Sequence, residues 1–153
     1  MNKGIKIWEK AIPLSECINL FYGIKTGDDS KFIHTEFLTN KHKKLLRRRD
    51  FGKYFTHWAG EYVWYVPTQM KSHRKTARPG NSDRFETDKI IIQDIRKGLI
   101  GTLDSEGYYI KDALMLLEKK NGLNLKYILG IINSKLMNYY YIKAFVTLSV
   151  AKN

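Results

Sequence analysis

Apolar residues recur at helical spacing near the C-terminal end of the chain, where they form a single stripe. The stripe consists of Leu125, Ile128, Leu129, Ile132, Leu136 and Tyr140. A spacing of three or four residues places such positions on one face of a helix. Asn133-Ser134 interrupts the pattern, and serine is a favourable N-cap. We therefore predict two helices, the second from Ser134 to about Phe145, that pack as a hairpin on a sheet.

Stretches of β-branched and aromatic residues predict the strands of that sheet. Glu61–Val66 is one such stretch, and it stops at Pro67. Lys89–Ile95 contains three consecutive isoleucines, which indicates a strand buried on both faces. Two further strands are expected at 99–103 and 107–110, joined by a hairpin-type turn at Asp104–Gly107.

Other segments have weaker patterns. We expect a short strand at Ile5–Trp8, a short helix from Ser15 to about Phe21, and a strand at Lys31–Phe37. Residues 41–49 follow neither period, so we treat them as a loop or an irregular edge. Residues 68–87 carry turn formers and scattered charge, which is typical of a functional loop. Residues 112–117 fit either a strand or a helix.

Together these elements predict an α+β fold, a mostly antiparallel β-sheet with a C-terminal helical hairpin packed on it. A chain of 153 residues is expected to form a single domain, here taken as 1–153. The sequence stops without a terminating cap or turn, so we expect it to be a fragment of a longer polypeptide.

Composition places this domain in a reducing compartment. Cys17 is the single cysteine, so no internal disulfide can form. Charges interrupt the N-terminal segment, which does not resemble a signal peptide. Lys126, Lys135 and Lys143 interrupt the apolar C-terminal region, so no membrane span is expected. We expect a soluble protein located in the cytoplasm.

Charge changes the picture most, because 27 basic residues stand against 15 acidic ones and give a net charge of +12. Much of the excess lies in two clusters. The first contains Lys41, Lys43, Lys44, Arg47, Arg48, Arg49 and Lys53, and the second contains Lys71, Arg74, Lys75 and Arg78. Aromatic residues are interleaved with the first cluster. A solvated surface is the ordinary explanation of a charge run, but clustering with arginine and aromatics favours nucleic acid.

Common catalytic motifs are missing from the sequence. Lys25-Thr26 follows Ile24 rather than the glycine of a phosphate-binding loop. The four histidines show no metal-ligand spacing. One arrangement stays open, since Glu118-Lys119-Lys120 with Asp104 or Asp112 upstream is similar to the carboxylates and lysine of Mg²⁺-dependent nucleases.

Four segments, read in order, resemble the target-recognition domain of type IIG and TaqI-like restriction–modification DNA methyltransferases. They are Gly23-Ile-Lys-Thr-Gly-Asp28 followed by Phe32-Ile33, Leu46-Arg-Arg-Arg-Asp-Phe51 with Lys53-Tyr54, Asp88–Ile92 followed by Asp104 and Gly107–Tyr109, and Leu129-Gly-Ile-Ile-Asn-Ser-Lys-Leu136. The resemblance covers roughly residues 23–145. It implies a non-catalytic domain that recognises double-stranded DNA and follows a methyltransferase domain in the same polypeptide.

The resemblance also implies which functions belong to the parent enzyme and which to this chain. Adenine methyltransferases hold the flipped base with a proline-proline-aromatic loop and S-adenosylmethionine with a glycine-rich turn, whereas the prolines here are isolated and no such turn exists. Catalysis is therefore expected elsewhere, with S-adenosylmethionine and Mg²⁺ bound only in the parent enzyme. We expect phosphate contacts from the first basic cluster together with Lys25 and Thr26. We expect base contacts from Lys71, Arg74, Lys75 and Arg78. Two rival hypotheses are a nuclease that uses Glu118 and Lys120, and an RNA-binding or protein-docking module.

Overall fold

The computed structural model describes residues 11–95, 98–111, 114–119, 122 and 124–146. Its strands are β1 Ile18–Tyr22, β2 Ile33–His34, β3 His42–Leu46, β4 Phe51–Gly52, β5 Phe55–Thr56, β6 Tyr62–Trp64, β7 Lys89–Ile95, β8 Gly98–Asp104, β9 Tyr109–Ile110 and β10 Leu114–Lys119. Its α-helices are α1 Leu14–Cys17, α2 Asp29–Phe32, α3 Pro67–His73, α4 Ser82–Glu86, α5 Leu125–Asn133 and α6 Lys135–Tyr141. A 3₁₀ turn spans Arg48–Asp50, and a π-helical turn at Ile142–Val146 follows α6.

The strands form two four-stranded sheets and one small hairpin. The first sheet has the order β1-β10-β7-β8, and all its neighbours are antiparallel. The second has the order β2-β6-β3-β9, in which only the pair β3 and β9 is parallel. The hairpin is β4 with β5. The predicted α+β class with mostly antiparallel strands is therefore confirmed.

Strand β7 separates two hydrophobic clusters because its side chains alternate between the faces of the first sheet. Ile90 and Ile92 pack with Ile128, Leu129 and other residues beneath the C-terminal helices. Ile91 points the other way, into the larger cluster that fills the space towards the second sheet. All three isoleucines are buried, which confirms the prediction of a strand covered on both faces.

The C-terminal helices also follow the prediction. Ile128, Leu129 and Ile132 are buried against the first sheet. Asn133, at the end of α5, donates its side-chain amide to the Gly101 carbonyl and accepts the Gly101 N–H, both at 2.9 Å. Ser134 then caps α6 by accepting the Met137 N–H at 3.1 Å.

Leu136 was wrongly assigned to the buried stripe, because 56% of it is exposed. The cause is the helix break itself. Ser134 has an extended backbone conformation, with φ −65° and ψ 151°. This resets the helical phase, so positions after the break do not continue the face that α5 buries.

Several local predictions were wrong, and tertiary pairing explains most of them. Residues 18–22 form the edge strand β1, paired with β10, and not the end of a helix. Residues 42–46 form β3, a central strand, and not a loop. The segment 68–87 is not a single loop, since it contains most of α3 and all of α4.

The turn at 104–107 does not close a hairpin, because β9 leaves the first sheet and pairs parallel to β3. The undecided segment near 112–117 contributes to strand β10. Lys31–Phe37 is only partly a strand, since α2 ends at Phe32 and β2 is two residues long. The strand predicted at Ile5–Trp8 lies outside the described residues.

Candidate nucleic-acid interface

The second basic cluster lies on α3 and on the connection that follows it. Lys71 is on the last turn of the helix, and Arg74, Lys75 and Arg78 come after it, all with exposed side chains. Met70 and Ala77 are buried in the larger hydrophobic cluster and anchor the segment at both ends. Within the described residues no carboxylate forms an ion pair with any of these four cations, so they face solvent with their charge uncompensated.

This connection is tied to the turn at residues 23–28 by a two-way backbone pairing. The Lys25 N–H donates to the Arg78 carbonyl at 3.0 Å, and the Arg78 N–H donates to the Lys25 carbonyl at 2.7 Å. Gly27 has φ +82°, and a Cβ there would lie only 2.7 Å from Cβ of Arg74. Glycine is therefore required both for the backbone conformation and for the close approach. The structure thus brings Lys25 beside Arg74 and Arg78, which lie some fifty residues later in the chain.

Two neighbouring aspartates hold this turn in place. Asp28 accepts hydrogen bonds from Ser30 at 2.7 Å and from His73 at 2.9 Å, and these bonds lower the pKa of Asp28 to about 2. Asp29 accepts the Thr26 hydroxyl at 2.6 Å and lies 2.9 Å from Nζ of Lys111.

Burial acts to raise the pKa of Asp29, but the bonds from Thr26 and Lys111 outweigh it and leave the pKa below its usual value. Thr26 is itself buried, and its hydroxyl is used by Asp29. Its side chain is therefore a part of the turn and does not face the surface.

Arg47 of the first cluster is also used internally. Its guanidinium pairs with the Glu61 carboxylate through two nitrogens, Nε to Oε2 and Nη2 to Oε1, the latter at 3.0 Å. The hydrogen bonds with Glu61 raise the pKa of Arg47. Nη1 of Arg47 also lies 3.8 Å from Asp29, so the first cluster meets the turn at this aspartate. The Arg47 guanidinium is thus held between Glu61 and Asp29, and its role is to position these segments relative to each other.

Arg48, Arg49 and Lys53 differ in how many contacts their side chains make within the protein. Arg48 is exposed and has no carboxylate partner among the described side chains. Arg49 reaches Glu61 at 3.4 Å and Asp50 at 3.5 Å, but 68% of its side chain is exposed. Nζ of Lys53 donates to the Asn133 carbonyl at 3.2 Å.

The three lysines around β3 also divide by what they contact. Lys41 is exposed just before the strand. Nζ of Lys43 pairs with Glu86 at 3.1 Å. Lys44 is exposed, and its Nζ lies 5.1 Å from the centre of the Trp58 ring, close enough for a cation–π contact. Lys41 and Lys44 are therefore available to an external anion, whereas Lys43 would have to leave Glu86.

Two basic residues that the sequence analysis did not select lie beside this region. Nζ of Lys31 contacts Nδ1 of His73 at 3.4 Å and lies over the Phe32 ring. Lys111 contacts Asp29, and its backbone pairs with Ile24 next to the turn. Neither residue belongs to a run of charge in the sequence, so only the pairing of distant segments identifies them.

The structure describes only some of the residues that resemble an Mg²⁺-dependent nuclease site. The Asp104 carboxylate forms a fully buried ion pair with Lys89 and is not exposed to a ligand. Glu118 lies on β10 in register with Lys89, while Asp112 and Lys120 fall outside the described residues. No group of three His, Cys, Asp or Glu side chains in the described ranges is arranged to hold a metal ion. Over the same ranges no helix is long and apolar enough to span a bilayer.

One protein family, described as the TaqI-like C-terminal specificity domain, matches residues 43–151 of the chain. The match begins within β3 and includes the connection at 74–78 and both C-terminal helices. The turn at 23–28 lies before its first residue, although it is packed against the matched part. Among curated proteins no match is found.

Proposed function

Because the chain belongs to the TaqI-like C-terminal specificity domain family, we propose that it reads the sequence of double-stranded DNA for a type IIG-like restriction–modification enzyme. The observation that carries the proposal is a set of exposed cations that have no carboxylate partner among the described residues and whose backbone is held by pairing with a neighbouring turn. We call this set the recognition surface. It consists of Lys25, Lys71, Arg74, Lys75 and Arg78.

The support matters because base recognition needs side chains that start from fixed backbone positions. The pairing of Lys25 with Arg78 fixes one end of the connection, and the buried Met70 fixes the other. An arginine on such a support can form two hydrogen bonds to O6 and N7 of guanine in the major groove. Arg74 and Arg78 are the proposed base readers of this kind, with Lys71 and Lys75 beside them.

Phosphate contacts are proposed for the exposed members of the first cluster. Lys41, Lys44 and Arg48 face solvent, and Arg49 and Lys53 are partly engaged. Such contacts set the register of a protein on the duplex and carry no sequence information. Arg47 and Thr26 contribute by holding the turn and β3 together through Glu61 and Asp29.

Catalysis is assigned to other domains of the parent polypeptide. A specificity domain positions a methyltransferase, so we propose a methyltransferase domain of the same polypeptide as its partner. S-adenosylmethionine and Mg²⁺ are proposed to bind only in the parent. On this proposal the chain by itself neither methylates nor cleaves DNA.

A binding titration tests the proposal against its rivals. The chain is titrated with a random-sequence duplex, a single strand and an RNA hairpin, each with and without Mg²⁺. We expect duplex binding that does not need Mg²⁺, and enrichment of one sequence when tight binders are selected from a random duplex library. Mg²⁺-dependent cleavage would instead support the nuclease. Preferential binding of RNA would support the RNA-binding module, and no binding of any nucleic acid would support the protein-docking module.

A charge-matched pair of variants shows whether the recognition surface is responsible. The double variant Arg74→Ala/Lys75→Ala removes two exposed cations from it. Lys126→Ala/Lys135→Ala removes two exposed cations from the C-terminal helices. Both variants lower the net charge equally, so a purely non-specific attraction predicts equal losses of affinity. We expect a larger loss for the first variant.

A further inference from the structure

The small hairpin of β4 and β5 presents two aromatic rings to solvent at its tip. Gly52 pairs with Phe55, so only Lys53 and Tyr54 form the turn. Tyr54 and Phe55 are 62% and 59% exposed. Moving a large aromatic side chain out of water is energetically favourable. Two neighbouring exposed rings on a tight turn are therefore a candidate binding element.

The backbone of this tip has an unusual conformation. Tyr54 has φ +67° and is the one non-glycine residue with positive φ among the described residues. This region disfavours side chains with a Cβ, and bulky residues adopt it rarely. A Cβ at Gly52 would collide with the Phe55 ring, so the glycine lets that ring lie across the hairpin. Backbone strain of this kind persists where surrounding bonds hold it, and it is concentrated at functional sites.

The hairpin is fixed to the rest of the fold both at its turn and at its base. The Tyr54 N–H donates to the Gly101 carbonyl at 3.1 Å, and Lys53 donates to the Asn133 carbonyl at 3.2 Å. The Gln93 amide donates to the carbonyls of Arg48 and Phe51 at 3.1 and 3.2 Å. The rings thus project from a support that costs little further ordering on binding.

The charged residues that precede the hairpin in the chain indicate what it contacts. Arg48 and Arg49, immediately before the hairpin, are exposed, and Arg48 has no carboxylate partner within the described part of the chain. Exposed aromatic rings on a hairpin that follows exposed arginines fit a nucleic acid, because the rings can stack on bases and the guanidinium groups can bind phosphates. A ring wedged between base pairs also bends a duplex so that more protein surface meets it.

We propose that Tyr54 and Phe55 form a wedge that stacks on the bases of an opened step in the bound duplex, while Arg48 and Arg49 hold the adjacent phosphates. This inference rests on the proposed function, and it adds a second contact that is separate from the recognition surface. It differs from base reading because stacking tolerates every base and depends on how easily the step opens.

The test removes the ring while keeping the turn. Tyr54→Asn suits a positive φ and loses the aromatic side chain, and Tyr54→Phe keeps the ring. Tyr127→Asn removes a similarly exposed tyrosine from α5 as the matched control. Phe55→Ser is a second variant at the tip. Urea unfolding of each variant establishes that it is folded before binding is measured.

We expect Tyr54→Asn to weaken binding of a selected duplex by about 5- to 150-fold, the range for one lost base stack. The salt dependence of binding should not change, because no charge is removed. Tyr54→Phe and Tyr127→Asn should bind as the unaltered chain does. An abasic site at the opened step should tighten binding of the unaltered chain and not of Tyr54→Asn.

Two results would overturn the wedge. If Tyr54→Asn and Phe55→Ser bind the duplex normally while Arg74→Ala/Lys75→Ala does not, then the tip does not contact the duplex and the wedge fails, while the proposed function stands. If the unaltered chain binds no duplex at all, then the wedge and the proposed function both fail.

Discussion

Lys89 and Asp104 form an ion pair that water does not reach, between neighbouring strands of the first sheet. Nζ of Lys89 also donates to the Phe85 carbonyl, while Asp104 accepts the N–H groups of Glu106 and Tyr108 at 2.9 and 3.0 Å. Desolvation lowers the pKa of Lys89, although Asp104 acts in the opposite direction. The pair joins the end of α4 to the turn that directs the chain from the first sheet to the second.

Removing one member of this pair should be much worse than removing both charges. Lys89→Met leaves the Asp104 carboxylate buried without its cation, which should lower the free energy of unfolding by about 3–5 kcal/mol. Lys89→Met/Asp104→Asn should recover part of that loss, because asparagine keeps one acceptor oxygen for the turn. Urea unfolding at neutral pH measures both. A double variant less stable than the single one would show that the turn and not the charge controls stability.

Tyr108 predicts how stability changes at alkaline pH. Burial and the hydrogen bond to Glu106, 2.9 Å long, raise the pKa of Tyr108 from 10.0 to about 12. The folded chain therefore keeps this proton over a pH range in which the unfolded chain releases it. The raised pKa of Tyr108 therefore contributes to the free energy of unfolding. This contribution is fully present below the pKa of the unfolded chain and is lost as the pH rises through the pKa of the folded chain. Tyr108→Phe should lose less stability than the unaltered chain between pH 10 and 12, as measured by urea unfolding in that range.

At the scale of elements, α5 predicts a contrast between two leucines of the sequence-derived stripe. Leu129 is buried, and its Cδ1 packs against Gly101 on β8. Leu129→Ala should destabilise the chain by about 2–5 kcal/mol, because it opens a cavity. Leu136→Ala, on the exposed side of α6, should have an effect within about 0.5 kcal/mol. Equal losses in thermal or urea unfolding would mean that the helical hairpin packs differently from the arrangement described.

The same elements show which features a sequence can predict. Lys89–Ile95 and Leu125–Asn133 carry strong periodic patterns, and both were predicted correctly because the pattern itself reports burial. His42–Leu46 reads as a charged loop, yet pairing with β6 and β9 makes it a central strand. The helix expected from Ser15 ends at Cys17, because the residues after it pair with β10. Such pairings join distant segments, and local patterns do not contain them.

The candidate site divides in a similar way. The basic clusters were visible as charge runs, so Arg74, Lys75 and Arg78 could be selected from the sequence alone. Their support could not be, because the pairing of Lys25 with Arg78 depends on the tertiary fold. The internal role of Arg47 was also hidden, since Glu61 lies fourteen residues away and is brought beside it by the pairing of β3 with β6.

At the scale of the whole molecule, two hydrophobic clusters meet at β7, and the exposed cations lie outside both. The turn at 23–28, the end of β3 and the connection at 74–78 converge around Asp29 and the Lys25–Arg78 pairing. A duplex that contacts the recognition surface would then also be near Arg47, which follows β3. The first cluster and the recognition surface are thus proposed to make phosphate contacts and base contacts respectively, and mutations can distinguish the two.

Phosphate contacts and base contacts should respond differently to salt and to sequence. Lys44→Ala removes an exposed cation of the first cluster, and we expect it to weaken all duplexes alike and to reduce the salt slope by about 0.9. Arg74→Ala or Arg78→Ala should cost about 1–3 kcal/mol on the selected sequence and little on others. Lys43→Ala should have a smaller effect than Lys44→Ala, because Lys43 is already paired with Glu86.

Fluorescence anisotropy with selected and scrambled duplexes, at several salt concentrations, measures both properties of each variant. If Arg74→Ala and Arg78→Ala weaken every duplex equally, the recognition surface is an electrostatic clamp, and the sequence is read by other residues. If none of these variants changes duplex binding, the exposed cations are a solvated surface, because a real phosphate contact must release counterions. Specific loss at Arg74 or Arg78 together with uniform loss at Lys44 is the outcome that the geometry of the two clusters predicts.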